Sequence, residues 1–216
     1  MTPTDILATL ACIKVVPVIR AGSIEPAKRA ALWLAEAGMS AVEMTLTTPD
    51  VFDGIGELRK NKSIIVGAGT ILSAQDARLA IAAGSQFLVT PCWVDGVIEL
   101  AKSANIPVMI GAANPSEIWR AHCAGATAVK VFPAASVGGP QFLKQVRAVF
   151  PTVPLMPTGG VTIETAAGYL AAGAFCVGLG SELAPAKALE AGDRAGVVAK
   201  AKRLLANLTP PTMLQV

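Results

Sequence analysis

The chain has a single histidine, a single tyrosine and only four cysteines in 216 residues. One histidine, His122, cannot build a histidine-rich metal centre, and no cluster of carboxylates replaces it. No metal and no cofactor are therefore expected, and His122, inside a helix-like stretch, is read as a helix-surface or interface residue. Cys12, Cys92, Cys123 and Cys176 are widely spaced and form no CxxC pair, which points to free thiols in a reducing cytoplasm. Charge is also scarce, at 15% of residues, and the net value of +3 is not gathered into a stripe. Without a basic face interleaved with aromatics, nucleic acid is not an expected partner. The chain is 53% hydrophobic, but no apolar run reaches the ~20 residues of a membrane span. The start, Met-Thr-Pro-Thr-Asp-Ile-Leu, lacks the positive n-region of a secretion signal. These absences predict a cytoplasmic protein that handles a small molecule without a membrane.

What is present is alternation. Short β-branched runs near 15–19, 41–46, 64–67, 86–90, 106–110, 127–132, 153–157 and 175–179 are each followed by an alanine-rich amphipathic stretch. Eight such units with no linker or low-complexity break predict an α/β fold, a (β/α)8 TIM barrel, as a single domain over residues 1–216. A doubly wound open sheet is the structural alternative. An internal repeat favours closure. Glu-Ala-Gly-Met-Ser-Ala-Val-Glu (36–43), Ala-Ala-Gly-Ser-Gln-Phe-Leu-Val (82–89), Cys-Ala-Gly-Ala-Thr-Ala-Val-Lys (123–130) and Ala-Ala-Gly-Ala-Phe-Cys-Val-Gly (171–178) each lead from a helix end into strands two, four, six and eight. Each glycine suits a left-handed helix cap. Ser73, Asn114 (followed by Pro115 and Glu117) and Thr162 are candidate N-caps.

The same count past each glycine reaches Glu43, Val89, Lys130 and Gly178. Alternate strands of a barrel contribute to one interior layer, so Glu43 and Lys130 should face each other across it, with small Val89 and Gly178 leaving room between them. Lys130 is unusual in itself. It sits in the apolar run Ala-Thr-Ala-Val-Lys-Val-Phe-Pro (126–133), and a lysine is almost never fully buried without a partner or a task. Enclosure favours the uncharged amine, which is the form that attacks a carbonyl to make a Schiff base. The bland alternatives are a lysine whose head reaches water along its own stem and a purely structural ion pair.

In a barrel the chemistry lies at the carboxyl ends of the strands. Arg20, at the end of strand one, is the natural anchor for a substrate carboxylate, helped by the Thr70 hydroxyl. Pro91 and Phe132 are expected to shape the walls, with Cys92 and Trp93 packing on the rim. Thr158 is placed to meet a substrate hydroxyl. Two glycine turns, with Gly159, Gly160, Gly180 and Ser181, are expected to open the helices after strands seven and eight and to bind a phosphate there.

At this point the ordered set Glu-Met-Thr-Leu (43–46), Gly-Ala-Gly-Thr (67–70), Thr-Pro (90–91), Lys-Val-Phe-Pro (130–133), Gly-Pro-Gln-Phe (139–142), Pro-Thr-Gly-Gly-Val (157–161) and Gly-Leu-Gly-Ser (178–181) resembles the 2-keto-3-deoxy-6-phosphogluconate (KDPG) aldolases, a group that includes 4-hydroxy-2-oxoglutarate (KHG) aldolase activity. The resemblance runs from about Val15 to past Ser181. It implies a metal-free class I aldolase, a homotrimeric barrel, with Lys130 as the Schiff-base lysine and Glu43 as the general acid/base. It implies Thr70 as a ligand of the pyruvate carboxylate, and Gly160 and Ser181 as phosphate contacts. Some members carry an arginine where this chain has Thr47, others at the end of strand one, where Arg20 stands. Thr158 resembles the gluconate enzymes, whereas a relative acting on the galactonate epimer has valine. The expected substrates are KDPG and pyruvate, with KHG and the galactonate phosphate as alternatives. A phosphate-binding barrel isomerase and a non-catalytic sugar-phosphate sensor share the glycine turns, but neither needs Lys130 opposite Glu43.

Overall fold

The computed structural model describes residues 2–208; Met1 and residues 209–216, the ends of the expected single domain, lie outside them. The strands are β1 (Val15–Ile19), β2 (Ala41–Thr45), β3 (Ile65–Gly69), β4 (Leu88–Val89), β5 (Val108–Ala112), β6 (Ala128–Val131), β7 (Leu155–Pro157) and β8 (Val177–Leu179). The helices are α1 (Pro3–Ile13), α2 (Ile24–Glu36), α3 (Val51–Leu58), α4 (Ala74–Ala82), α5 (Val97–Ser103), α6 (Pro115–Ala124), α7 (Gly139–Val149), α8 (Ala166–Ala171), α9 (Ala186–Glu190) and α10 (Arg194–Leu208). All strand pairs are parallel, in the order β7-β6-β5-β4-β3-β2-β1-β8. A parallel bridge between Thr158 and Gly178 joins the two ends. A doubly wound sheet would reverse its strand order at a switch point; this one runs in sequence and closes into a barrel.

Local sequence explains the boundaries. Ser73 and Asn114 accept from the backbone amides of Asp76 and Glu117 and so cap α4 and α6. Thr2 and Asp5 form a reciprocal capping box on α1. Thr162 caps the turn that leads into α8, its hydroxyl accepting from the Thr165 amide and its carbonyl from the Ala166 amide. It pairs with Thr165 in a turn, and α8 begins only at Ala166. The repeat glycines Gly38, Gly84, Gly125 and Gly173 all sit at φ between 93° and 102°, the left-handed region where a Cβ is costly.

Each strand buries both faces, so two apolar clusters form. Val15, Val42, Val66, Val108, Val129, Leu155 and Val177 point outward against the helices. Val16, Ala41, Ile65, Phe87, Val89, Met109, Ala128, Met156 and Cys176 fill the barrel's lower interior, and Ile6 and Leu10 of α1 close it from below. Full burial of a leucine such as Leu10 contributes about 1.5–3 kcal/mol. Burial also pushes the Cys176 thiol up, so it stays protonated and inert. All four cysteines are unpaired. The lower half of the barrel is thus packed solid, and chemistry is confined to the other end.

Candidate active site

Above the apolar plug the inward positions change character. On β2 they are Glu43 and Thr45; on β3, Gly67 and Gly69; on β5, Gly111; on β6, Lys130; on β8, Gly178. The glycines are spaces in use. A Cβ on Gly69 would lie 1.9 Å from Glu43 Oε1 and 2.5 Å from its Cγ. One on Gly178 would lie 2.2 Å from Thr158 Oγ1, and one on Gly111 would meet the Pro91 backbone at 2.1 Å. Removing side chains at these positions lets a carboxylate, an amine and a hydroxyl occupy the mouth of a barrel too narrow for larger neighbours.

Lys130 and Glu43 meet there. The Lys130 Nζ donates to Glu43 Oε1 at 3.4 Å, across 87 residues of sequence. Lys130 is 4% exposed and Glu43 is fully buried. The long stem of Lys130 therefore does not carry its head to water, and the snorkelling alternative is overturned. The second carboxylate oxygen, Glu43 Oε2, has no protein partner, and neither has the buried Thr158 Oγ1. Buried polar atoms are ordinarily hydrogen-bonded, because leaving one unpaired costs about 1–3 kcal/mol. Two orphaned oxygens at the mouth of a barrel mark a place built for something that supplies the missing partners.

Gly69 makes the pairing sterically feasible, which yields a direct check. Gly69→Ala is expected to push the Glu43 carboxylate away from Lys130 and to destabilise the fold by about 1–3 kcal/mol, the usual cost of overpacking. Denaturant unfolding and a crystal structure of the variant test this. A stable variant with the Lys130–Glu43 distance unchanged would contradict it.

The remaining expected residues take up graded positions. Pro91 is half-buried on the β4 loop, lying over Gly111, which is in register with Lys130. Phe132 is exposed at the rim, its ring centroid 5.5 Å from Lys130 Nζ. That is within the range of a cation–π contact. Thr70, half-buried at the end of β3, has φ 62. A β-branched residue there is a genuine outlier, of the kind that clusters at ligand sites. Arg20 is exposed at the end of β1, and its Nε donates to Thr47 Oγ1 at 3.0 Å. Among the described residues Arg20 joins no ion pair. Trp93 packs under the Arg120 guanidinium and donates to Asp95, in keeping with a rim role.

The glycine turns differ from expectation. Neither opens a helix directly. Gly159 and Gly160 adopt φ 88 and 74, left-handed values that cannot start a right-handed helix, and α8 begins at Ala166. After β8 the chain makes one helical turn, with Leu183 and Ala184 donating to the Gly180 carbonyl, and α9 begins at Ala186. Part of the glycine requirement is steric: a Cβ on Gly159 would touch the Phe132 ring at 3.0 Å, and one on Gly160 would strike Ala135 Cβ at 2.4 Å. The amides of Gly160 and Ser181 donate to no backbone carbonyl among the described residues. Any anion here would be held by turn amides.

Thr45, Thr48 and Gly69 lie in the segments that the sequence places at the ends of strands two and three, but it gives none of them a role of its own. Thr45 is buried and donates to the Ile19 carbonyl, and Thr48 accepts from the Ala21 amide. The signal was available. Period-two counting puts Thr45 on the face of Glu43, and Gly69 on that of Gly67. Among the described residues no group of three or more His, Cys, Asp or Glu side chains is placed to hold a metal ion. Nor is any helix long and apolar enough to cross a membrane.

The family model for KDPG and KHG aldolase matches residues 6–200. The KHG/KDPG aldolase of Escherichia coli K12 is 36% identical over 181 residues, covering 83% of this chain and 84% of that protein. The KDPG aldolase of Zymomonas mobilis ZM4, solved with 3-phosphoglycerate, superposes with a TM-score of 0.83 at 32% identity, covering 94% of this chain and 96% of the other. The KDPG aldolase of Legionella pneumophila, with pyruvate captured as a covalent carbinolamine intermediate, superposes with a TM-score of 0.81 at 29% identity, covering 92% and 97%.

Proposed function

The chain belongs to the KDPG and KHG aldolase family, and from that membership and the site geometry we propose that it is a class I aldolase cleaving KDPG to pyruvate and glyceraldehyde 3-phosphate, with KHG as a further substrate. The observation that carries this reading is the enclosed amine of Lys130 at 3.4 Å from a carboxylate whose other oxygen is unpaired. An amine beside a proton acceptor can give up its proton and attack a ketone. A carboxylate with one oxygen uncommitted can then serve the later proton steps.

The steps balance as follows. The free amine of Lys130 attacks the C2 ketone, and the carbinolamine loses water to give a protonated imine. Glu43 takes the proton of the C4 hydroxyl. The C3–C4 bond breaks, its electron pair moves to the imine nitrogen as an enamine, and glyceraldehyde 3-phosphate leaves. Glu43 returns a proton to C3, and water hydrolyses the imine to release pyruvate and the amine.

The supporting residues follow their positions. Arg20 and Thr70 hold the carboxylate of the pyruvate half, Pro91 and Phe132 bound the cleft, and Thr158 offers its unpaired hydroxyl to the C4 side of the substrate. Turn amides at Gly159, Gly160, Gly180 and Ser181 take the phosphate at the far end. The same reading makes residues 1–216 one barrel domain of a cytoplasmic homotrimer.

Purified protein is expected to release pyruvate from KDPG faster than from the galactonate epimer, because Thr158 can hydrogen-bond a C4 oxygen of one configuration. A preference for the galactonate would reverse the epimer assignment. Phosphate-ligand stabilisation with no pyruvate from either epimer would favour the sensor, and isomerised product would favour the isomerase.

A further inference from the structure

The hydrogen bonds around Arg20 form a chain whose direction can be deduced. Thr45 Oγ1 lies 3.0 Å from the Ile19 carbonyl, which can only accept, so the Thr45 hydroxyl proton is committed there. Thr45 Oγ1 also lies 2.9 Å from Thr47 Oγ1. With its own proton spent, Thr45 accepts, and Thr47 is the donor. The Thr47 oxygen then has only lone pairs to offer, and at 3.0 Å it receives the Arg20 Nε proton. The sequence of donors is Arg20 to Thr47, Thr47 to Thr45, and Thr45 to the carbonyl of Ile19, the residue that precedes Arg20. The arginine side chain is thus tied back to its own strand through two hydroxyls on β2 and its loop. Such a run of bonds polarises each member in the same sense.

The backbone beneath Arg20 is held independently. The Ala21 amide donates to Thr48 Oγ1 at 3.2 Å, and the Gly22 amide donates to Glu190 Oε1 at 3.1 Å. Only the Nε edge of the guanidinium is engaged, and no carboxylate of the described residues pairs with it. The two Nη groups form the fork that grips a carboxylate bidentately.

We propose that Thr47 is a positioning residue for Arg20: through the Thr45–Thr47 relay it fixes the guanidinium by its Nε edge, so that both Nη groups face the substrate carboxylate. The proposal rests on the reading of Arg20 as carboxylate anchor. It assigns a task to the position at which this chain departs from relatives with an arginine there. An exposed arginine is otherwise free to swing among many rotamers, and that freedom must be given up on binding. The relay removes it beforehand.

The test is a double-mutant cycle on pyruvate use in the addition direction, with glyceraldehyde 3-phosphate as partner. Thr47→Val is expected to raise the KM for pyruvate about three- to tenfold, the net scale of one intramolecular hydrogen bond, while kcat moves much less. Thr47→Ser, which keeps the hydroxyl, is expected to restore the wild-type KM. Arg20→Ala is expected to raise KM by more, and Thr47→Val added to it is expected to change nothing further, because the two act as one unit. If Arg20→Ala raises KM but Thr47→Val leaves it unchanged, the relay is overturned and the anchor stands. An additive effect in the double variant also overturns the relay. If Arg20→Ala itself leaves KM unchanged, the anchor reading fails and the relay with it. Equal melting temperatures across the set exclude a merely structural cause.

Discussion

Lys130→Met is expected to lower kcat for KDPG cleavage by roughly a millionfold, the scale seen when a covalent nucleophile is removed. The methionine keeps the unbranched stem and removes only the reactive amine. Borohydride added with pyruvate is expected to inactivate the wild type and to add one reduced pyruvyl group at Lys130. The variant is expected to take up none. Trapping that persisted in Lys130→Met would place the nucleophile elsewhere and defeat the mechanism. Stability must be read alongside. Lys130 is the ion-pair partner of the fully buried Glu43. Removing it leaves a buried charge uncompensated, at a cost of about 3–5 kcal/mol. The double variant Lys130→Met with Glu43→Gln removes both charges and is expected to recover much of that loss. It is also expected to stay inactive, which separates lost chemistry from lost fold.

The second large effect is a split. Glu43→Gln preserves side-chain volume between Gly69 and Lys130, where a Cβ at Gly69 already has no room. The amide cannot carry a proton between steps. Turnover is therefore expected to fall about 10²- to 10⁴-fold, the usual contribution of a positioned acid/base. Imine formation with pyruvate needs the amine of Lys130, and borohydride trapping is expected to survive in a large fraction of the protein. Exchange of the pyruvate C3 protons with deuterated solvent, followed by NMR, is expected to slow along with cleavage, because the same carboxylate protonates the enamine. Undiminished exchange would remove Glu43 from the proton steps. Loss of trapping together with turnover would mean that the carboxylate serves chiefly to prepare the amine.

Much of this arrangement was legible beforehand, for physical reasons that differ from residue to residue. Strand positions follow from β-branched runs with caps between them, and closure was hinted at by four Ala-Gly cap repeats at equal distances from inward-facing positions. Counting from those caps placed Glu43 opposite Lys130 because the side-chain period of a strand is two and a barrel has few layers. The glycine turns were placed less well. Gly159 and Gly160 were expected to open the next helix, but their φ values show that the chain turns away before a helix can begin. Thr162 was read as a cap, and its hydroxyl does accept the Thr165 amide in the turn that separates the glycines from α8. Thr47 stood out only as a departure from relatives; its contact with Arg20 spans 27 residues and depends on how two loops meet.

The residues by themselves determined the alternating architecture and the strand face on which Lys130 sits, because these depend on local periodicity and hydrophobicity alone; that the lysine head stays enclosed was decided by packing. Tertiary packing decided which oxygen of Glu43 the lysine engages, which stays unpaired, and how the Arg20 guanidinium is held. Those outcomes depend on ångström-scale distances between strands far apart in the chain, which no local pattern encodes.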